Sequence, residues 1–320
     1  MARIVPRLLT AIATLLVAAS PAAAQAWTFP AHTGAVTFVA QEIDHVGRMD
    51  NEGHRKPVGK AVNFGVDLEV DYAFTDHWSI STTMPYILSK YKDTEPPPFG
   101  LPFQDVDECR CWNDSFADFG VTTHYTVINR DEAFVLTPFV SAGVPSHPYD
   151  YAGEAVVGRR LKELRFGTYA GQRLDRVLPG LSVQASYGYT VVGQVEDVPN
   201  NRSNGSAVVN MAFPRGFSAR GIATWQRTHG GLRFPCDIVH PAAGNGDPIC
   251  GTMEPLPEVL QTEFHRMLRD NYLHVGAGVG YGVGLWELSM EALVTTRGSN
   301  SHDVHVFSIT AGRSFELGHR

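Results

Sequence analysis

The chain has 320 residues, of which 43% are hydrophobic, 10% aromatic and 18% charged, and its formal net charge is −7. This composition is too apolar for a disordered protein and too weakly charged for a coiled coil. A negatively charged chain also lacks the basic field that attracts nucleic acid, so no nucleic-acid partner is expected.

The first 26 residues have the pattern of a secretory signal peptide. Two arginines form a basic start, residues 8–20 are mostly apolar, and Ala22-Ala23-Ala24 or Ala24-Gln25-Ala26 offers small residues for cleavage. Beyond this segment, no stretch approaches the roughly 20 apolar residues that a membrane-spanning helix needs. We therefore expect residues 1–26 to direct export and residues 27–320 to form one mature domain.

Strand-like alternation begins at 61–74, where seven apolar residues from Val62 to Phe74 share one face. A period of two predicts an amphipathic strand. At 273–284 the second face is mostly glycine, which would leave a hole in a soluble sandwich core but is tolerated in a wide barrel. In chain order we predict about twelve strands, at 35–47, 60–75, 78–91, 116–129, 132–144, 161–174, 181–195, 205–214, 217–228, 271–284, 286–297 and 304–317.

Short and long connections alternate between these strands. Short periplasmic turns and long outer loops on an even number of antiparallel strands are typical of bacterial outer-membrane barrels. Closure of the sheet satisfies every backbone hydrogen bond in lipid. The expected fold is therefore an all-β transmembrane antiparallel barrel of about 12 strands, embedded in outer-membrane lipid. The long outer loops are predicted at 48–59, 92–115, 145–160, 196–204, 229–270 and 298–303. The segment 230–270 is the longest of them and contains a short predicted helix at 257–270.

Three segments carry a family resemblance. They are Thr75-Asp76-His77-Trp78-Ser79-Ile80 with Met84-Pro85-Tyr86, then Asp114-Ser115-Phe116-Ala117-Asp118-Phe119-Gly120, then Phe139-Val140-Ser141-Ala142-Gly143-Val144-Pro145. Together they resemble the outer-membrane transporter family linked to meta-pathway phenol degradation. This resemblance implies passage of small, often aromatic, solutes across the outer membrane. It brings no catalytic motif and no cofactor.

Charged residues alternate onto the predicted inner face. Asp67, Glu69 and Asp71 form one row, with neighbours about 7 Å apart. Such a row could form a constriction that orients polar or anionic solutes, or it could belong to a salt-bridge network that fills the lumen. Because twelve strands lie between filled and open barrels, a channel and a filled structural barrel both remain open. The other residues predicted to line the lumen are Arg165, Arg173, Arg220, Glu287 and Glu291.

Four cysteines lie in predicted long loops: Cys109, Cys111, Cys236 and Cys250. An even number in an exported chain suggests disulfides, and four cysteines allow three pairings. A Cys236–Cys250 bridge, which would pin the longest loop, is the preferred pairing. Cys109 and Cys111 could bond one another, although under strain, or reach the other loop. No metal site is expected, because the Cys-x-Cys spacing lacks the usual partner pattern of zinc sites.

One segment is similar to an enzyme motif. Asn201-Arg202-Ser203-Asn204-Gly205 resembles the His-x-Ser-Asn-Gly segment of a twelve-stranded outer-membrane phospholipase family, with Ser203 at the nucleophile position. Asn201 stands where the base is needed, and an unactivated serine is a poor nucleophile. We therefore predict a polar loop at 201–205, and His302 is likewise assigned to a loop. A lipid-active barrel enzyme is the less favoured alternative, and no enzymatic activity is expected.

Overall fold

The computed structural model describes residues 26–57, 59–93, 105–130, 133–231, 263 and 265–318. Short strands at Arg55–Lys56, Asn113–Phe116 and Ile128–Arg130 extend the sheet, and a one-turn helix, α1, covers Asp105–Glu108. Twelve long strands form the body: β1 Thr33–Met49, β2 Ala61–Ala73, β3 Trp78–Tyr91, β4 Asp118–Tyr125, β5 Phe134–Pro145, β6 Glu163–Arg173, β7 Leu181–Val192, β8 Asn200–Ala212, β9 Phe217–Gly230, β10 Asn271–Val283, β11 Trp286–Ser299 and β12 Ser301–Glu316.

The sheet closes on itself. Each long strand pairs antiparallel with the next in chain order, and β12 returns to pair with β1. Thr33 lies opposite Glu316 at one end of this seam, and Met49 lies opposite Ser301 at the other. Closure leaves no long strand with an unpaired edge, as a bilayer requires. The predicted twelve-stranded all-β barrel is confirmed. Among the described residues, no helix is long and apolar enough to cross a membrane.

The outer surface of the barrel is apolar around its circumference. Phe64 and Val66 on β2 are 40% and 37% exposed. Directly paired residues share a face, so the same parity continues from strand to strand. A continuous belt of exposed apolar side chains is suited to the hydrocarbon of a bilayer. Further members of this belt are Phe38, Val121, Val140, Phe166, Val209, Val279, Met290 and Ile309.

Aromatic side chains gather at the end of the barrel that carries the short turns. Phe74 stacks on Trp78 with ring centroids 4.6 Å apart, and Phe217 packs against Tyr281 at 4.8 Å. Trp286 is also exposed on the outward face. Tryptophan and tyrosine rings have an apolar body and a polar edge, which suits the boundary between lipid and water, and the phenylalanine rings pack against them. This end therefore has the character of an interfacial girdle.

Two predicted connections and one predicted strand are wrong in detail. The supposed long loop at 298–303 is a tight turn around Asn300, whose φ of 52° lies in the left-handed region. His302 consequently belongs to β12 and not to a loop. The loop at 196–204 ends earlier than predicted because β8 begins at Asn200, which places 201–205 inside a strand. The predicted strand 116–129 is interrupted at Ala117 and again after Tyr125. Polar residues obscured the boundaries at 200–204 and 298–303, since side-chain parity is hard to read where both faces are polar.

Most of the 230–270 segment lies outside the described residues. Glu263 and residues 265–267 are helical, within the predicted helix at 257–270. Met267 is fully buried and packs with Leu161, Val192 and Val195. This segment therefore returns to contact the barrel at the end that carries the long loops.

Candidate functional site: the barrel lumen

The acidic row of β2 lies on the inner face. Asp67, Glu69 and Asp71 alternate with the exposed apolar residues of the same strand, so their side chains are directed inward. The Asp71 carboxylate accepts a hydrogen bond from the Ser81 hydroxyl, and Ser81 Oγ lies 3.2 Å from His124 Nε2. Within the described part of the chain, none of the three carboxylates forms an ion pair. They therefore present a row of three carboxyl groups to the lumen.

A basic and aromatic cluster lies on the inner faces of β5 and β6. The Arg165 guanidinium lies over the Phe139 ring, 5.0 Å from its centroid. Phe139 packs against Tyr169 at 4.8 Å, and Tyr169 lies 5.9 Å from His124. Arg165 has no carboxylate partner among the residues that the structure describes. A cation beside aromatic faces is a combination that can hold a planar anionic group.

The remaining predicted lumen residues divide into paired and stacked groups. Arg220 Nε lies 3.1 Å from Glu291 Oε1, which links β9 to β11. Glu287 occupies the same face of β11 as Glu291. Arg173 lies 5.9 Å from the centroid of the Trp27 ring.

One inward ion pair is not among the residues predicted to line the lumen. Arg202 on β8 donates to the carboxylate of Glu163 on β6, two strands away. Parity would have placed Arg202 on the inner face if the strand had been predicted to begin at Asn200.

The glycine face of β10 is not open space. A Cβ at Gly276 would meet Ala292 O at 1.9 Å, and one at Gly278 would meet Glu291 Cγ and Met290 O, each at 2.8 Å. Glycine at these positions permits the close approach of β11 and its glutamate. These two glycines therefore mark close contact between neighbouring strands.

The short-turn end of the lumen is occupied by the start of the described chain. Ala26 is fully buried with Phe139 and Tyr169, and Trp27 packs against the same cluster. The Ala26 N–H donates to Gln184 Oε1 at 2.9 Å, and its carbonyl accepts from Thr137 Oγ1 at 2.8 Å. Polar inner-face side chains thus hold this segment inside the barrel. We call residues 26–27 the inner closure.

The long-loop end holds a buried ion pair. Arg48 Nη2 donates to both carboxylate oxygens of Glu154 at 2.6 Å, with the two side chains 3% and 0% exposed. Asp107 in α1 accepts the backbone N–H groups of Glu154 at 3.0 Å and Ala155 at 2.9 Å. The loop between β5 and β6 is therefore fastened to both β1 and α1. We call Arg48, Asp107, Glu154 and His265 the outer closure.

A second set of contacts holds the 265–270 segment beside the outer closure. Arg159 Nη2 donates to Asp270 Oδ2 at 2.9 Å, and Arg266 Nε donates to the Arg159 carbonyl at 3.0 Å. Asn200 Nδ2 donates to the Arg266 carbonyl at 2.8 Å. The residues joined by these bonds are between 66 and 111 positions apart in the chain. A local sequence pattern therefore could not predict them.

Burial shifts the titration of the loop members of the outer closure. It lowers the pKa of His265 to about 4, although Glu154, 3.8 Å away, favours the charged ring. Burial raises the pKa of Asp107 to about 6, against the hydrogen bonds from two backbone N–H groups. Burial alone would also raise the pKa of Glu154, but Arg48 and His265 hold it below its ordinary value.

These shifts predict opposing pH effects on the outer closure. His265 favours the folded closure above pH 6.5, and this contribution is lost as the pH falls toward 4. Asp107 acts in the opposite direction, because its contribution is lost as the pH rises from 3.8 through about 6. Between pH 7 and 4.5 we expect little change in the conductance of the reconstituted wild type. The conductance of the Asp107→Asn variant should increase on acidification. The conductance of the His265→Gln variant should increase as the pH rises.

The test is to measure the conductance of the wild type and the two variants in planar bilayers at pH 7 and pH 4.5. The Glu154 contribution is lost only below its unfolded pKa of 4.5, so it lies outside the range. An identical pH response in all three proteins would show that these two groups do not govern the closure.

A disulfide joins Cys109 to Cys111. It directly follows α1, so it lies beside Asp107 of the outer closure. The other predicted pair, Cys236 and Cys250, lies outside the described residues. The structure thus contains the bond between the near neighbours Cys109 and Cys111, which the sequence left open.

One exposed loop group has the residue types of a metal site. Asp50, Glu52 and His54 each bring one potential ligand atom within 4.8 Å of the others. However, Asp50 Oδ1 already accepts the backbone N–H groups of Glu52 and His54, at 2.9 Å and 2.8 Å. This arrangement is that of a loop stabilised by an aspartate cap, and we assign it no metal.

Ser203 has a different environment from the one predicted. It lies within β8, and its Oγ is 2.7 Å from His229 Nε2 on β9. The prediction of a loop serine without a base is therefore wrong. The adjacent strand supplies the histidine that the segment around Ser203 lacks.

No protein-family model and no curated protein matches this chain. Among solved structures, the COG4313 outer membrane channel from Pseudomonas putida F1 is similar with a TM-score of 0.66 and 11% identity, covering 93% of this chain and 100% of that one. The NanC porin has a TM-score of 0.48 at 10% identity, over 88% of this chain and 100% of its own. LpxR from Salmonella typhimurium has a TM-score of 0.44 at 10% identity, with the same coverage. The first of these similarities shows the outer-membrane barrel fold. None of the three supports the link to phenol degradation.

Proposed function

We propose that this protein is an outer-membrane channel for small solutes, exported by a signal peptide within residues 1–26 that is then removed. Cleavage after Ala24, the first of the two sites in the sequence, would leave Ala26 of the inner closure in the mature chain. The separation of charge on the inner face carries the proposal. Three carboxylates on β2 stand without ion partners in the described chain, and Arg165 stands four strands away on β6. A lumen filled only for stability would pair such charges, because unpaired charges away from water are costly. Opposed charges on a pore wall orient polar solutes as they pass.

The surroundings of Arg165 favour small aromatic acids as the solute class. Phe139 and Tyr169 lie beside the guanidinium. Both rings are buried with Ala26, so a solute reaches them when the inner closure moves. A carboxylate can bond to Arg165 while an attached ring packs against these faces. This agrees with the solute class implied by the family resemblance.

A filled barrel without transport remains the second candidate, because both ends of the lumen are occupied. The inner closure fills the short-turn end, and the buried Arg48–Glu154 pair lies at the long-loop end. Transport requires that each closure moves or leaves a passage beside it. The two candidates therefore differ in whether folded protein passes any solute.

Measuring the entry of solutes into liposomes distinguishes the channel from the filled barrel. With purified, folded protein we expect benzoate to enter faster than a neutral sugar of similar size. Arg165→Gln should lower this preference about tenfold, the ratio expected from losing one hydrogen bond to a charged group. Measuring both solutes in the same vesicles separates selectivity from the amount of inserted protein.

Arg176→Gln is the matched control, because it removes the same charge from an exposed turn outside the lumen. Asp67→Asn should increase benzoate entry by reducing repulsion from the acidic row. Absence of flux for every solute would refute the channel and favour the filled barrel. Flux with an unchanged solute preference in Arg165→Gln would refute the assigned binding surface alone.

A further inference from the structure

A serine and a histidine meet on the outer surface of the barrel. Ser203 and His229 have the same parity as the exposed apolar residues Val209 and Phe217 of their strands, so both face outward. Ser203 Oγ lies 2.7 Å from His229 Nε2, a strong hydrogen-bond distance. Ser203 itself is 5% exposed, whereas His229 is exposed. A nucleophile and a base within hydrogen-bond reach form the minimal unit of nucleophilic ester hydrolysis.

Aromatic side chains hold this pair in place. The Tyr187 hydroxyl lies 3.3 Å from Ser203 Oγ. The Tyr189 ring packs against the His229 ring, with centroids 5.7 Å apart and planes 31° from parallel. Trp225 lies beside Tyr187 at 6.1 Å. The rings restrict the rotation of His229 and keep its Nε2 directed at the serine.

The pair lies near the long-loop end of the barrel. Ser203 is the fourth residue of β8, so it is about 10 Å along the strand from the long-loop end. Arg227 lies directly opposite Ser203 on β9, shares its outward face and is exposed. An exposed cation at this level can bind the phosphate of a lipid headgroup. The acyl chains would then lie along the apolar belt below.

We propose that Ser203 and His229 form a catalytic pair that hydrolyses acyl esters of outer-leaflet phospholipid. Ser203 Oγ attacks the ester carbonyl carbon while its proton passes to His229 Nε2. The carbon–oxygen bond to the glycerol breaks, and the leaving oxygen takes that proton. Water then attacks the acyl-serine, gives one proton through His229 back to Ser203 Oγ, and releases the fatty acid. This activity is on the outside of the barrel, so it is independent of passage through the lumen.

The test uses the folded full-length protein in vesicles of phosphatidylethanolamine and phosphatidylglycerol. We expect release of fatty acid, together with covalent labelling of Ser203 by a fluorophosphonate, located by peptide mass. Ser203→Ala should abolish both signals. His229→Gln should lower the rate of hydrolysis by at least about 100-fold, which is the smallest effect usual for the loss of a general base.

Ser206→Ala is the matched control, because this serine is on the same strand but faces inward, 2.8 Å from Ser186 Oγ. It should keep full activity. Barrel formation is checked by the shift in gel mobility between heated and unheated samples. Folded wild type that releases no fatty acid above protein-free vesicles, or folded Ser203→Ala that keeps wild-type hydrolysis, would overturn the proposal.

Discussion

Replacing Arg48 with methionine is expected to lower the free energy of unfolding by about 3–5 kcal/mol. The change leaves the Glu154 carboxylate, whose side chain is 0% exposed, without its guanidinium partner. An uncompensated buried charge is costly, because the protein interior cannot replace the water that solvated it. Urea unfolding in detergent micelles measures the loss, and conductance in planar bilayers should increase as the outer closure loosens.

The double variant Arg48→Met/Glu154→Leu separates the pair from its surroundings. Exchanging both members of a buried ion pair for apolar residues is often close to neutral, so much of the lost stability should return. Lys92→Met is the matched control, since Lys92 pairs with Asp44 at 2.7 Å but both side chains are more than a third exposed. An exposed pair is worth about 0–1 kcal/mol. Equal losses in Arg48→Met and Lys92→Met would contradict the assignment of a buried closure.

Val66→Arg is expected to destabilise the barrel by about 2–4 kcal/mol. Val66 lies near the middle of β2 on the outward face and is 37% exposed. An arginine there must place its charge in hydrocarbon or distort the bilayer to reach water. Refolding into lipid vesicles across a urea series gives the free energy of unfolding.

Gly65→Ser provides the comparison on the inner face. A Cβ at Gly65 would have Ile87 Cγ1 as its nearest neighbour, at 3.9 Å, so the serine has room and should cost little. Gly278→Ser, on the inner face of β10, would bring its Cβ to 2.8 Å from the Met290 carbonyl oxygen. We therefore expect Gly278→Ser to be destabilising. Similar costs for Val66→Arg and Gly65→Ser would show that the two faces of β2 are wrongly assigned.

The strands were predictable because each one meets two different environments. On β2 and β10 the apolar residues that face lipid alternate without a break, and the observed bounds, Ala61–Ala73 and Asn271–Val283, are close to those predicted. The prediction failed where this contrast fades. Residues 200–204 and 298–303 are polar on both faces, so alternation could not show where β8 and β12 begin.

The candidate site was predictable only in part. Parity alone places Asp67, Glu69 and Asp71 inward, because it needs no knowledge of other strands. The outer closure could not be foreseen, since Arg48 and Glu154 are 106 positions apart and belong to a strand and a loop. The same holds for Ser203 and His229, which are 26 positions apart. The segment 201–205 offers only Asn201 at the position of the base, because a motif contains only the neighbours of Ser203 along the chain.

The amino-acid sequence by itself determined an all-β barrel with an apolar outside and a charged inside, since a period of two is a local property of each strand. Only the tertiary structure decided what occupies the two ends of the lumen, how closely β11 approaches the glycines of β10, and which histidine meets Ser203. These features depend on strand register and on loop paths. Register is set by hydrogen bonding between distant segments, so a one-residue shift would bring different side chains together.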